Sequence, residues 1–497
     1  MKLHRDLLKH SSIYGIGQIL GRVASLLLLP LYTRCLVPAD YGVVAILDLT
    51  AGILAVLIGA GMASAVTRFH FDGDGEQWHD RVWWTGLSYV AISSGLLIAP
   101  MWLARGLLAE VTLGTGISDG ANFYALALAT MWFGTFTEVF DAYLRVEKRS
   151  ALFVALSFAR LLLNVGLNVY FLVIRGDGIA GLLIGNLLAT AAYTLTMFAI
   201  FCVSRGRYVF DRPMAGKLLQ FGGPLIATAL LSMVIHEADR YFLRVWVDLD
   251  QVGLYSLAYK IGQAVNMLCL MPFTAIWGVV MYEIARSPDA KRQYAAVFEH
   301  FVGGLSLVML AASLFARPLL LLLTTPEYAV AADLVPIICL GYLCFSLHEH
   351  FRVPVLLAKQ TRSLVPVYLF AAMLNLACNV VLIPRWHAAG AAWASVITYA
   401  GFSAFGLLRY RQIDVISYPF RRCTEIVVGM SLSWVACQQV VSLSSVVGWS
   451  LSIAVWCAWA MLLFGRPAFE FLSHRYRLRI RPVVSVVQSM PNENLTP

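Results

Sequence analysis

Only 13% of the 497 residues are charged, about half the roughly 25% that a soluble chain carries to cover its surface. That shortage, beside 60% hydrophobic residues and a mean hydropathy of +0.74, excludes a water-soluble globular protein. Long polar connections are missing too. The largest loops lie around 69–81, 108–120 and 323–333, which leaves no room for a folded soluble catalytic domain. The nine cysteines are scattered, with no C-x-x-C pair and no His/Cys cluster at metal spacing, so they form neither a disulfide framework nor a zinc site. They read as small apolar fillers.

Apolar runs supply most of the chain. Stretches of about 20 residues, the length a helix needs to cross the hydrocarbon core, recur from end to end. They divide into about fourteen predicted spans: 12–36, 43–66, 83–107, 121–144, 152–174 and 179–203, then 221–242, 253–278, 301–323, 334–351, 364–383 and 389–408, and last 423–441 and 447–464. The chain also repeats at an offset of 211 residues. Leu7 and Leu8 fall on Leu218 and Leu219, Gly42 on Gly253, Glu138 on Glu349, and Asn164 and Asn168 on Asn375 and Asn379. Duplicated membrane bundles are mostly transporters. Six spans per copy is an even number, so both copies start from the same side of the bilayer and the repeat is parallel. The fold expected is an all-α polytopic membrane protein. It has two parallel six-helix lobes, 1–212 and 213–412, an additional helix pair in 413–466, and a basic cytoplasmic tail, 467–497.

Most of the 37 Lys and Arg fall in loops on one side, among them Lys148, Arg149, Arg205, Arg207, Arg212, Lys217, Lys291, Arg292, Arg421 and Arg422. The positive-inside rule makes that side cytoplasmic and places both termini there. Topology thus accounts for the net charge of +9, and nucleic acid is not an expected partner. The basic tail from Arg466 to Arg481 suits anionic lipid headgroups. The first apolar segment is long enough to span and lacks a small-residue cleavage site, so it is expected to be retained.

Chemistry in such a chain rests on polar groups held at membrane depth, where each is costly and turns toward the bundle interior or a hydrated cavity. On the first helix Gln18 and Arg22 share one face with Ser11, Gly15 and Ser25. Arg22 lies too deep to reach water by stretching along the helix. Asp48 stands above Gly52, Ala55 and Gly59 on the second helix, a small-residue groove that lets another helix approach. The fifth helix carries Arg160, Asn164 and Asn168 as one stripe; the eighth carries Ser256, Lys260, Gln263 and Asn266; the seventh carries His236 and Asp239. Three cations, Arg22, Arg160 and Lys260, drawn from both halves, predict a positive cavity between the lobes for an anionic substrate. The alternative is that each charge pairs with Asp48, Glu138 or Asp239 and merely pins helices together. Glu138 and its repeat mate Glu349 fall near the cytoplasmic helix ends, where Arg145 or Arg352 could bridge them, a position suited to gating.

No metal site is expected. In His348-Glu349-His350 the two imidazoles leave a helix on different faces, and the acidic run from Asp72 to Glu76 lacks the downstream bidentate Glu of a calcium loop. Trp83, Trp84, Trp102, Trp246 and Trp386 lie near predicted span ends and read as an interfacial belt.

The segment from Leu36 to Ile46, LVPADYGVVAI, follows a first helix containing Gly-x-x-Leu-Gly-Arg at Gly17 to Arg22. Together they resemble the polysaccharide-transporter branch of the multidrug/oligosaccharidyl-lipid/polysaccharide (MOP) exporter superfamily, and Asp250 to Ala258, DQVGLYSLA, is similar to that family's degenerate second copy. The likeness runs over the whole chain through helix count, six-plus-six organisation and the extra pair. It implies a flippase of the bacterial inner membrane, not an enzyme. Its substrate would be an undecaprenyl-diphosphate-linked oligosaccharide for O-antigen, capsule or exopolysaccharide, moved by alternating access of two lobes about a cationic cavity. Arg22 and Lys260 match that cavity's residues in kind and depth. The family also implies coupling to a proton or sodium gradient, with Asp48 the candidate here. No bound cofactor is expected, the partners expected besides the substrate are membrane lipids and other polysaccharide-assembly proteins, and two lobes in one chain need only that chain to work. Two other transport readings fit the superfamily, a cation-coupled drug exporter and a lipid II flippase. A drug exporter favours carboxylates over buried bases. A polytopic glycan polymerase or ligase commonly needs a sizeable periplasmic loop, and none is present.

Overall fold

The computed structural model describes residues 28–59, 61–441 and 445–473. Among them there is no strand. In chain order the helices are α1 (Leu29–Cys35), α2 (Pro38–Gly59), α3 (Met62–His70), α4 (Glu76–Leu103), α5 (Arg105–Thr112), α6 (Gly120–Val146), α7 (Ser150–Asn168), α8 (Gly178–Ser204), α9 (Arg212–Trp246), α10 (Leu249–Val265), α11 (Met271–Ile284), α12 (Ala290–Leu323), α13 (Val335–Phe351), α14 (Val353–Leu357), α15 (Val365–Tyr410), α16 (Phe420–Val441) and α17 (Ser445–Ser473). Ten helical stretches of the described residues are long and apolar enough to cross a membrane, so the chain is a multi-pass membrane protein.

The spans differ from their sequence-drawn outlines for local reasons. The two spans expected at 364–383 and 389–408 are both present within α15, as two helices that meet at a kink at His387, φ 52°, ψ −128°. That is the conformation of the first central residue of a type II′ turn, where glycine dominates. His387→Gly should therefore stabilise the fold by about 1 kcal/mol, seen as a rise in thermal midpoint; a fall would show that the imidazole itself holds the turn. Pro272 sits at the start of α11, where its missing N–H breaks the helical ladder. The five residues before α11, Asn266–Leu270, form a π-helical turn. Two stretches expected as outer loops are helical: α5 and a 3₁₀ helix over Pro326–Leu334. Neither run is long enough to span, but each caps the bundle's end with an apolar face. The additional pair, α16 and α17, packs on α12. Leu307, Leu310 and Leu314 meet Ile426, Met430 and Cys437 there, and Trp456 donates to the Leu307 carbonyl at 3.0 Å. Polar Ser431, Ser433, Gln438 and Gln439 keep α16 out of the ten apolar spans.

The repeat survives as geometry. Asn168 Nδ2 donates to Asn164 Oδ1 at 3.0 Å, and Asn379 Nδ2 donates to Asn375 Oδ1 at 2.9 Å. These are equivalent bonds one turn apart on α7 and α15. Between the halves, α2 packs along α10 through their paired glycines. A Cβ on Gly42 would lie 2.0 Å from the Leu249 carbonyl oxygen, and one on Gly253 would lie 1.9 Å from that of Pro38. Leu249 is the repeat mate of Pro38, as Gly253 is of Gly42, so the two contacts exchange under the internal two-fold. The axis passes between these glycines.

Three hydrogen bonds close the same end of the bundle. Tyr328 OH donates to Leu36 O at 2.9 Å, Thr33 Oγ1 to Leu323 O at 3.3 Å, and Arg244 Nη2 to Leu113 O at 2.6 Å. Each joins the first half to the second. Met214 and Leu218, from the first turns of α9, are buried in the cluster that fills the first half, while Ile235 and Leu243 belong to the large cluster shared with the second half. Helix α9 therefore crosses from one lobe to the other.

Candidate functional site

Arg22 and Gln18 lie outside the described residues. The remaining candidates fall into two groups, set by which helices surround them. Helix α7 lies at the edge of the first half and packs mainly on α8. Its polar stripe must face that helix because its other faces are exposed and apolar. Asn164 donates to Asn186 Oδ1 at 2.8 Å, and Asn168 donates to Tyr32 OH at 2.9 Å. One turn before Asn164, Arg160 is half-buried. Its Nη2 donates to Thr190 Oγ1 at 3.1 Å, and its guanidinium lies 5.3 Å from the Tyr193 ring centre. Arg160 lines a cavity of about 310 Å³ with Asp48, Gly52, Thr130, Asn186 and Thr190. Those helices, α2, α6, α7 and α8, all belong to the first half. The cation expected in a cavity between the lobes thus opens into one lined by first-half helices, and it shares Asp48 with the groups at the two-fold.

The second group lies on the two-fold. Counting from the Gly42–Gly253 contact, Asp48 and Lys260 lie six and seven residues further along facing helices, about 9–10 Å deeper. Lys260 Nζ is 5.0 Å from the Tyr41 ring centre, a cation–π distance, and both Lys260 and Arg240 are within electrostatic reach of Asp48. Among the described residues neither Arg160, Lys260 nor Asp48 closes an ion pair.

Arg240 behaves differently. It is paired with Glu237, and Asp239 Oδ1 stands 3.8 Å away. Its guanidinium is 4.7 Å from the Tyr259 ring centre, and its Nε donates to Ser256 Oγ at 3.3 Å. Tyr255 OH donates to Asp239, with Ser395 at 3.4 Å from the same carboxylate, so the cluster pins α9, α10 and α15. His236 Nδ1 and Tyr399 OH are 2.6 Å apart, and Tyr399 is 3.1 Å from Tyr259 OH. His236 thereby belongs to this tyrosine-rich network and does not line the Arg160 cavity. Gln263, one turn from Lys260, is exposed.

The two glutamates part company. Glu349 and Arg352 pair at 2.5 Å. Among the described residues Glu138 has no ion partner, including Arg145; it stands where a Cβ on Gly59 would come within 4.0 Å of its Oε2. Beside Glu349, His348 stacks on Phe402 at 3.9 Å while His350 sits among Phe273, Trp277, Phe298 and Phe301. The two imidazoles face different neighbours. Asp141 and Arg240 were not among the residues expected to matter. A charged run inside an apolar span, Glu237 to Arg240, was the available signal for the second; for Asp141 it was its place one turn after Glu138.

With this geometry in place, comparison with known proteins decides the family. A family model described as polysaccharide biosynthesis protein matches residues 7–277, more than half the chain. The chain belongs to that family. No curated protein matches it. Among solved structures, the lipid II flippase MurJ in its inward closed conformation superposes with a TM-score of 0.73 at 11% identity, covering 93% of this chain and all of that one. An inward-facing multidrug resistance MATE transporter of the MOP superfamily gives 0.65 at 16% identity, covering 82% and 95%. A MOP superfamily transporter from Pyrococcus furiosus, whose binding pocket is described as having reverse polarity, gives 0.51 at 15%, covering 85% and 95%. At these identities the likeness establishes the fold, which is the two-lobed MOP type.

Proposed function

We propose that this family member is a flippase. It moves an undecaprenyl-diphosphate-linked oligosaccharide from the cytoplasmic to the periplasmic leaflet of the bacterial inner membrane, by alternating access and without covalent chemistry. The observation that carries this is the pair of cations at membrane depth, Arg160 and Lys260, neither of which closes an ion pair with a carboxylate among the described residues. A guanidinium or ammonium in such surroundings is costly to keep and has donors free for a phosphate. Asp48, in the same cavity as Arg160, is the proposed proton or sodium site. The substrate's other end also has a fitting place. An apolar pocket of about 220 Å³ between α12, α13, α15 and α16, lined by Met309, Leu343, Trp393, Met430 and Trp434, suits a short segment of a polyprenyl tail, the rest of which stays in the bilayer. The closed end near Gly42 and Gly253 is then periplasmic, and the termini are cytoplasmic. The carboxylate in the cavity also favours a second reading, a cation-coupled drug exporter, and the same experiment separates the two.

Mass spectrometry of undecaprenyl-linked oligosaccharides in host membranes should show a completed lipid-linked unit accumulating when the protein is removed, with surface glycan lost. Arg160→Gln and Lys260→Gln should each cut export about tenfold or more at normal protein levels. Unchanged lipid intermediates with altered drug sensitivity would move the reading to efflux.

A further inference from the structure

The duplication allows each charge in one half to be read against its counterpart. In the second half Glu349 and Arg352 form an acid–base pair one turn apart. At the equivalent place in the first half stand Glu138 and Asp141, two acids, since Asp141 is the repeat mate of Arg352. Like charges three residues apart on a helix repel, so this half carries an excess negative charge that the other does not. It also carries an extra base: Arg160 falls on Ala371.

Acid and base are held apart by one side chain. Tyr193, 5% exposed on α8, donates its hydroxyl to Asp141 Oδ1 at 2.6 Å and offers its ring face to Arg160 at 5.3 Å. The remaining charged groups acting on Asp141 are Glu138 and Arg145 of its own helix. A phenol donating to a carboxylate becomes more electron-rich, which strengthens its attraction for a cation over the ring. Arg160 is thereby steadied by Thr190 and Tyr193 while its donors are not consumed in a bidentate bond to a carboxylate.

We infer that Tyr193 is a spacer that keeps Asp141 from capturing Arg160, so that Asp141 and Tyr193 together position the guanidinium and set its affinity for the diphosphate. Both are positioning residues, acting through Arg160. The inference rests on the reading of the Arg160 cavity as an anion site. Asp141 supplies a fixed negative field that weakens anion binding enough for release, and Tyr193 prevents that field from becoming a closed salt bridge.

The test uses the full-length protein in nanodiscs, inorganic pyrophosphate as probe, and equilibrium binding at one pH and ionic strength. Arg160→Gln should weaken binding about tenfold or more. Tyr193→Phe keeps the ring but frees Asp141, and affinity should fall about tenfold. Tyr193→Phe with Asp141→Asn removes the captor too and should return affinity to within about twofold of wild type, a rescue that a merely structural role does not produce. Asp141→Asn alone should raise affinity about threefold or more, a readout independent of whether Tyr193→Phe folds. Affinity lowered by Asp141→Asn, or no recovery in a folded double variant, overturns this inference alone. Absence of Arg160-dependent pyrophosphate binding overturns the anion-site reading and this inference with it.

Discussion

Gly42→Ala is expected to reduce transport about a hundredfold while the protein still inserts and folds. The added methyl would lie 2.0 Å from the Leu249 carbonyl oxygen, a backbone atom that cannot turn away like the end of a side chain. Overpacking of this kind costs roughly 1–3 kcal/mol where neighbours can yield, and here the upper end applies. The penalty falls only on the state in which α2 and α10 touch. Three kcal/mol against one of two conformers shifts their ratio about a hundredfold. Because Gly253 makes the mirror contact with Pro38, Gly253→Ala should act alike. The double variant should be little worse than either, since the first methyl already separates the helices. Spin labels at exposed Val37 and Val245, in a background without native cysteines, should show a longer distance in the variant. Normal transport with an unchanged distance would mean that this contact is not part of the cycle.

Arg240→Met should be the most destabilising single change among the membrane cations. The Arg240 side chain is only 9% exposed and neutralises Glu237 with Asp239 alongside. Removing one partner of a buried ion pair costs about 3–5 kcal/mol, because the remaining charge stays in a poor solvent. A fall of about 5–10 °C in the thermal midpoint in detergent is expected, and adding Glu237→Gln and Asp239→Asn should recover most of it. Lys260→Met removes a cation without an ion partner among the described residues, so its midpoint should stay within about 2 °C of wild type while export is lost. Equal destabilisation by the two substitutions would erase the distinction between a structural and a substrate-binding cation.

That distinction could not have been drawn from the sequence. Arg160, Arg240 and Lys260 look alike there, each a base on an apolar helix. Periodicity states which face of its own helix a residue occupies, but the partner comes from another helix. Arg240 meets Glu237 on its own helix but Tyr259 and Ser256 on α10; Arg160 meets Thr190 and Tyr193 on α8. Asp141 was hidden for the same reason, since only the packing of α6 on α8 puts a tyrosine between it and Arg160.

By itself the sequence determined that this is a duplicated, all-helical membrane protein with polar groups at membrane depth. Hydrocarbon requires long apolar helices, and the 211-residue offset is a property of residue identity. It also marked Gly42 and Gly253 as equivalents, and Asn164 and Asn168 as counterparts of Asn375 and Asn379. Tertiary structure decided which equivalents touch. It closed α2 on α10 at the two-fold, turned Arg160 into a cavity of its own lobe, tied His236 to Tyr399 and neutralised one buried arginine while leaving another unpaired. Those outcomes depend on distances between helices far apart in the chain, and a hydrophobic pattern, which records only burial along each helix, carries no information about them.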